Sequence, residues 1–300
     1  MAIPAAYGTV VLIWATTPLA IKWSSVGIGV AGAAAGRMLL GAMLATALVL
    51  LLRVDFPWHK RAQRSYLVAS LGVFGAMSLV YWSSQYVASG LISVMFGMAP
   101  ILSGLLAYWI LNERDLSPLR ILALLGAISG LAMVFSGELT VDASALPGLI
   151  SLVGATFLFS LSAVLVKRFD CGVDPLAHTA GTLLYSLPGY ILLWFVMESG
   201  QALVFDTRGV VATIYLALFG SVIGFVAYYY VLQRLTTATV QLIPLITPVL
   251  ALMLGAALED EQLSRTALFG TGLILTSLAI YQSAGWWQRR GQKVLPNVAQ

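Results

Sequence analysis

The chain is a succession of apolar stretches of about twenty residues, set apart by short polar breaks. That length of helix crosses a hydrocarbon layer of about 30 Å, so each stretch reads as a candidate transmembrane helix. Ten can be drawn: 3–23, 30–52, 66–87, 91–111, 119–136, 147–167, 175–197, 209–232, 237–258 and 266–285. Ser117-Pro118 and Asp174-Pro175 mark two starts, each placing a capping side chain before a proline at the first helical position. Most breaks are short, so sequence neighbours are expected to pack as antiparallel pairs.

Composition turns this pattern into a class. Of 300 residues, 60% are hydrophobic and only 9% charged, where a soluble domain carries about 25% charged residues. Mean hydropathy is +0.92. The predicted fold class is an all-α polytopic membrane protein, with the lipid bilayer as its first partner. The opening stretch lacks a basic leader and a small-residue cleavage site, and reads as a retained first helix. Cys171 is the only cysteine, and the two histidines, His59 and His178, are far apart. An internal disulfide is ruled out, a metal cluster is not expected, and no cofactor is implied. The net charge of +4 comes without a basic tract, which fits juxtamembrane lysines and arginines rather than a nucleic-acid partner.

Basic residues set the expected orientation. With the N-terminus in the cytoplasm, the inner loops and tail hold Arg53, Lys60, Arg61, Arg64, Arg114, Arg120, Lys167, Arg168, Arg234, Arg289, Arg290 and Lys293. The outer side keeps Lys22, Arg208 and Arg265, and Arg37 falls inside a span. Both termini are therefore expected in the cytoplasm.

The chain also repeats itself. At an offset of 145, WATTPLAIK (14–22) lies over FSLSAVLVK (159–167), and AGRMLL (35–40) over AGTLLY (180–185). At an offset of 148, Gly72, Tyr81, Gln85, Pro100, Leu102 and Glu113 meet Gly220, Tyr229, Gln233, Pro248, Leu250 and Glu261. Five spans per copy is an odd number, so the second copy must be inverted. The expected architecture is ten transmembrane helices as two inverted five-helix repeats around a central cavity. The first repeat covers residues 1–145, the second 146–288, and a basic cytoplasmic tail 289–300. Inverted halves are a transporter arrangement.

The segments LIWATTPLAIK, AAAGRMLLGAM, SSQYVASGLISVMFGMAPIL with NERDLS, and TTATVQLIPLITPVLALMLG with LEDEQLS resemble the two halves of the EamA family, in the drug/metabolite transporter superfamily. The similarity runs from about residue 3 to 285, and within the family it is strongest to the bacterial YddG-type amino-acid exporters. The resemblance implies a central substrate cavity reached by alternating access. It also implies an amino-acid exporter of broad specificity in the bacterial inner membrane. The alternative is a carrier of another small solute, such as a sugar-phosphate or nucleobase-like compound. Carriers of phosphorylated sugars should need cationic groups deep in the cavity, where only Arg37 is a candidate. An enzyme is disfavoured, since the chain has no HExxH, no nucleophile elbow and no close pair of carboxylates. A channel would want its repeat between subunits rather than inside one chain. No obligate protein partner is evident.

Polar residues within the spans are the candidate chemistry. VYWSSQYVAS (80–89) puts Ser78, Tyr81 or Trp82, and Gln85 on one helical face, roughly continued by Ser89. Lipid cannot hydrogen-bond that face, whereas a wet cavity or a neighbouring helix can. Gln85 and Gln233 are read as bonds between helices. Tyr81 and its counterpart Tyr229 fit either a cavity wall or packing. Trp14 and the matching Phe159 sit mid-span, away from the interfacial belt tryptophan prefers. They either fill volume or form an aromatic wall for a substrate, and the wall is preferred, with hydroxyls of Thr16, Thr17, Ser160 and Ser162 nearby. The candidate binding set is Trp14, Thr17, Ser78, Tyr81, Met98, Phe159, Ser160, Ser162 and Tyr229.

Pro100 and Pro248 fall at matched places and are expected to act as hinges or kinks that free backbone carbonyls, while Pro18 and Pro188 are read as packing kinks. Gly32/Gly36, Gly126/Gly130 and Gly220/Gly224 have the spacing of close helix packing. Arg37 is expected to pair with a carboxylate such as Glu138 or an acid of residues 259–261, or else to attract a substrate carboxylate. The pairing is preferred. Glu113 and Glu261 are read as braces at helix ends, and Lys22 and Lys167 as snorkelling from theirs. No acid or histidine stands clearly at mid-membrane, so facilitated diffusion or exchange is the simpler mechanism.

Overall fold

The computed structural model describes residues 3–112, 117–141, 143–169, 171–198, 204–234 and 243–293, and among them the chain is all helix, without strands. Helix α1 is Ile3–Ser24 and α2 is Val30–Leu51. Helix α3 begins as Lys60–Ser70, passes through a π-helical segment at Leu71–Ala76, and ends as Met77–Ser83. Helix α4 is Ser89–Phe96 and then, past Gly97 and Met98, Ala99–Ile110. Helices α5 (Pro118–Val141), α6 (Leu146–Arg168) and α7 (Pro175–Glu198) follow. Helix α8 runs Thr207–Tyr215, a second π segment Leu216–Ile223, and Gly224–Arg234. The last two are α9 (Ile243–Glu259) and α10 (Arg265–Lys293).

Helices α1 to α8 are each long and apolar enough to cross a membrane; the apolar stretches of α9 and α10, Ile246–Glu259 and Arg265–Tyr281, are shorter. Large apolar side chains cover the outside of the bundle, with Leu51 78% and Phe269 72% exposed. Apolar surface on this scale is what a bilayer covers. The chain is a polytopic helical membrane protein.

Local chemistry explains where the helices begin. The Leu176 amide donates to Asp174 Oδ1 at 2.8 Å, ahead of Pro175. Helix α3 begins at Lys60, six residues before the apolar run, because His59 Nδ1 accepts the Ala62 amide and caps the turn. Helix α5 extends to Val141, past the expected end at 136. Helix α10 continues to Lys293, into residues read from the sequence as tail. Of the expected span 237–258, residues 237–242 lie outside the described residues, as do Glu113 and Arg114.

The packing follows a pattern. Helix α1 lies against α8 and α9, α6 against α3 and α4, α2 against α7, and α5 against α10. Glycines set the closest of these approaches. A Cβ on Gly130 of α5 would come 2.7 Å from Gly270 O of α10, and one on Gly270 would come 2.6 Å from Gly130 O. Only glycine permits backbones to meet so closely.

Both π segments lie in the middle of their helices, where a displaced carbonyl needs another donor because lipid offers none. In α3 the neighbouring helices supply it. Tyr190 of α7 donates to Val73 O, and Ser162 of α6 donates to Val68 O at 2.9 Å and Ala69 O at 3.3 Å. In α4 the proline at 100 has no amide hydrogen, and the helix is interrupted at Gly97 and Met98 just before it. Pro248 lies instead inside the unbroken α9.

The stretch 80–89 proves to be a helix end. Ser83 and Ser84 donate back to Val80 O and Tyr81 O, satisfying terminal carbonyls. Gln85, read as a bond between helices, is exposed and donates to Trp82 O of its own chain segment. The helix stops two residues before Gln85 and so cannot hold it against a neighbour. The side chain of Gln233 lies outside the described residues.

Candidate functional site

A cavity of about 90 Å³ lies inside the bundle, walled by α1, α2, α3, α4, α6, α8 and α9. That is several times the room one water needs, about 10–15 Å³. Aromatic rings from four helices meet along it. Trp14 of α1 packs against Phe159 of α6 at 6.0 Å between ring centres, edge to face, and against Tyr228 of α8 at 5.0 Å. Phe96 of α4 meets Phe159 at 5.4 Å. Edge-to-face and tilted pairs at these spacings are favourable and hold one another in place. Thr17, Ser93 and Thr247 add hydroxyls to the wall, and Thr17 donates its own hydrogen to Ile13 O at 2.7 Å.

A second, smaller cavity of about 30 Å³ shares Met77, Phe159 and Phe225 with the first, and Gly72, Ser162, Tyr228 and Tyr229 also line it. Tyr229 is 8% exposed, and its ring meets His178 edge to face at 4.4 Å.

Among the described residues on the larger cavity's wall, only Arg37 carries a charge. It is 1% exposed. Its Nε donates to Ser221 Oγ of α8 at 2.9 Å, and the Ser221 hydroxyl in turn donates to Met38 Sδ. Room for the guanidinium comes from Gly220, where a Cβ would lie 3.0 Å from Nη2. Nη1 is buried without a hydrogen-bond partner.

The expected carboxylate partner of Arg37 is not there. Glu138 bonds the Ser264 backbone, Glu259 accepts from Trp23 Nε1 and Arg208, and Glu261 accepts from Lys22 and Ser89. These acids gather at the end of the bundle where α1 finishes and α2 starts, while Arg37 lies two helical turns inside α2.

That end is closed by polar contacts. Lys22 Nζ donates to Glu261 Oε1 at 2.7 Å, and Glu261 also receives the Ser89 amide and hydroxyl at 2.9 and 2.8 Å. Glu198 of α7 accepts the Ala31 and Gly32 amides at 2.9 and 2.7 Å, an anion on a helix N-terminus. Burial pushes the Glu261 carboxyl up, but the bonds from Lys22 and Ser89 outweigh this and hold it below its ordinary value.

The candidate residues named from the sequence divide accordingly. Trp14, Thr17 and Phe159 line the larger cavity, and Ser162 and Tyr229 the smaller one. Ser160 faces α4 and donates to Ala99 O at 3.1 Å, beside the break before Pro100. Tyr81 and Met98 are buried but line neither cavity, nor does the half-buried Ser78. Sequence reasoning missed Ser93, Phe96, Phe225 and Thr247. It also assigned Pro18 to packing, although Pro18 lies on the wall. The offset of 148 selected Tyr229 as the counterpart of Tyr81, but its neighbour Tyr228, one step round the helix, carries the contact to Trp14.

The sequence profile of the EamA-like transporter family matches residues 6–136 and again 146–282. The chain belongs to the EamA-like transporter family. A relative from Bacillus subtilis, the uncharacterized transporter YoaV, is 25% identical over 89% of this chain and 91% of its own. A protein from Streptantibioticus cattleyicolor, named as a probable terminal-alkyne amino-acid exporter, is 28% identical over 93% of each chain. Protein PecM of Dickeya dadantii is 22% identical over 87% of this chain and 88% of its own. A solved crystal structure superposes with a TM-score of 0.66 at 18% identity, covering 93% of this chain and 96% of the other, and shares the fold. The protein is thus an EamA-family membrane transporter.

Proposed function

We propose that this transporter moves amino acids across the bacterial inner membrane by alternating access, with broad specificity and in the direction of export. The driving process is facilitated diffusion or exchange, since among the described residues the cavity wall carries no acid or histidine to bind a coupling proton. The proposed contacts to the cargo are Trp14, Thr17, Phe159, Ser162 and Tyr229, which line the two cavities; Ser78, Tyr81, Met98 and Ser160 line neither and complete the proposed set as packing behind that wall, with Pro100 and Pro248 shaping the helices beside it.

Ten membrane-spanning helices in two inverted halves, residues 1–145 and 146–288, form the proposed architecture, with both termini and the tail 289–300 in the cytoplasm. The twofold match of the family profile supports two copies. The packing does so too. Exchanging α1 to α5 with α6 to α10 turns the α1 contacts with α8 and α9 into the α6 contacts with α3 and α4, and leaves the α2–α7 and α5–α10 pairs unchanged. A π segment occurs at corresponding places in α3 and α8.

The observation that carries the reading is the meeting of Trp14 and Phe159, one ring from each copy, on the wall of one internal cavity, with Tyr228 packed against Trp14 from the smaller cavity beside it. A cavity shared between two copies changes its access when they rock against each other. The amino-acid substrate is supported by the exporter named among the relatives. A counterflow panel in proteoliposomes, spanning amino acids, sugars, nucleobases and phosphorylated sugars, tests it. Accumulation of labelled amino acids is expected. Movement of phosphorylated sugars or nucleobases with no amino acid moved would overturn it.

A further inference from the structure

We infer that Arg37 anchors the carboxylate of the transported molecule, which makes a singly charged anionic group a requirement for binding. This rests on reading the cavity as the transport site. The guanidinium sits on the cavity wall, 1% exposed, with no ion pair among the described residues. A buried cation without a counter-charge is costly. A structural arginine is normally relieved of that cost by an acid, and Glu198, Glu259 and Glu261 are each bonded elsewhere.

What holds Arg37 is a positioning arrangement that occupies Nε and leaves Nη1 without a hydrogen-bond partner. Ser221 takes Nε and is itself oriented by donating to Met38 Sδ. Gly220 leaves room for Nη2, and Nη1 has no partner. A guanidinium gripped at Nε presents its remaining N–H groups as a planar pair of donors, the geometry that a carboxylate accepts with both oxygens. The rest of the site fits the rest of such a molecule. Trp14 and Phe159 offer ring faces and edges to an apolar body, and the Thr17 hydroxyl, its hydrogen given to Ile13 O, keeps a lone pair for an ammonium. One cation matches one negative charge. A phosphate dianion would keep a charge unpaired in an apolar enclosure.

The test uses purified full-length protein and three variants of ligand: L-phenylalanine or L-leucine, their methyl esters, and 3-phenylpropionate beside its amide. Ligand-induced thermal stabilisation and inhibition of counterflow are measured for the wild type, Arg37→Lys and Arg37→Gln. The wild type should prefer each acid over its ester or amide by about 10- to 100-fold, the worth of a charged hydrogen bond. Arg37→Gln should lose that preference while binding the esters within about twofold of the wild type, and Arg37→Lys should keep part of it. Melting of the unliganded Arg37→Gln protein should not fall, because an unpaired buried charge has been removed. An Arg37→Gln protein that folds and still prefers acids over esters overturns the inference and leaves amino-acid transport standing. Arg37-dependent movement of other carboxylates with no amino acid moved would sink the amino-acid reading and keep the anchor. A wild type stabilised by no carboxylate would overturn the anchor itself.

Discussion

Lys22, at the end of α1, and Arg37, two turns into α2, are close in sequence but stand in opposite surroundings. Lys22 pairs with Glu261, half open to solvent, in a cluster whose acid is further bonded by Ser89. Arg37 is enclosed, its Nε bonded to a serine and its Nη2 packed beside a glycine. The first region holds helix ends together across the two copies, and its charges are balanced within the protein. The second keeps a charge for something the protein does not supply. Where a cation finds its acid at home it serves structure; where the fold withholds the acid it is available to a ligand.

The largest effect that would sharpen this contrast is at the cavity wall. Trp14→Ala removes a ring that touches both Phe159 and Tyr228, and transport is expected to fall by about tenfold or more, 1.4 kcal/mol or more in binding terms. The amount of protein in the membrane fraction should stay unchanged. Unaltered uptake by this variant would remove Trp14 from the site. A smaller effect is expected from Gly220→Ala. Its methyl group would press on Arg37 Nη2, and overpacking of this kind costs about 1 kcal/mol or more. The preference for acids over esters should shrink about fivefold with the esters bound as before.

The paired region predicts the smallest change, and a pH signature. Glu261→Gln removes the charge that Lys22 and Ser89 bond, at an expected cost of about 1 kcal/mol, discounted because Lys22 is open to water. The Glu261 carboxyl is held below its ordinary value of 4.5. Its stabilising contribution is therefore complete above pH 4.5 and is lost as pH falls through the lower folded value. Thermal melting of the wild type should drop on acidification below about pH 4.5, and the Glu261→Gln profile should be flatter there. Arg37-dependent ligand preference should survive the change at neutral pH.

Much of this was legible in the sequence, for physical reasons. Apolar runs of membrane length mark helices because the bilayer demands it, and the starts at Pro118 and Pro175 follow from capping chemistry. The mid-span Trp14 was out of place for an interfacial residue and did turn up on the cavity wall. Arg37 stood out as a charge inside a span, but its partner did not. Pairing depends on which loops meet in space, and Glu259 and Glu261 sit at the Lys22 end instead. Ser221, which holds the guanidinium, lies hidden in the apolar run LFGSVIG. The π segment of α3 leaves no mark in composition, since the donors that serve its carbonyls, Tyr190 and Ser162, lie on other helices. Tyr228 and Tyr229 show the limit of periodicity, because one residue turns the helix by about 100° and selects a different neighbour.

Water access and ligand protection at the cavity wall bear most directly on the idea that this chamber is where the cargo sits. With the only cysteine replaced (Cys171→Ser), Thr17→Cys places a thiol on the wall and Leu12→Cys places one on the lipid-facing surface of the same helix. A membrane-impermeant thiosulfonate reagent should modify the Thr17→Cys protein, and L-phenylalanine or L-leucine should slow that reaction while their methyl esters slow it far less. Equal, ligand-insensitive labelling of the two variants would contradict it.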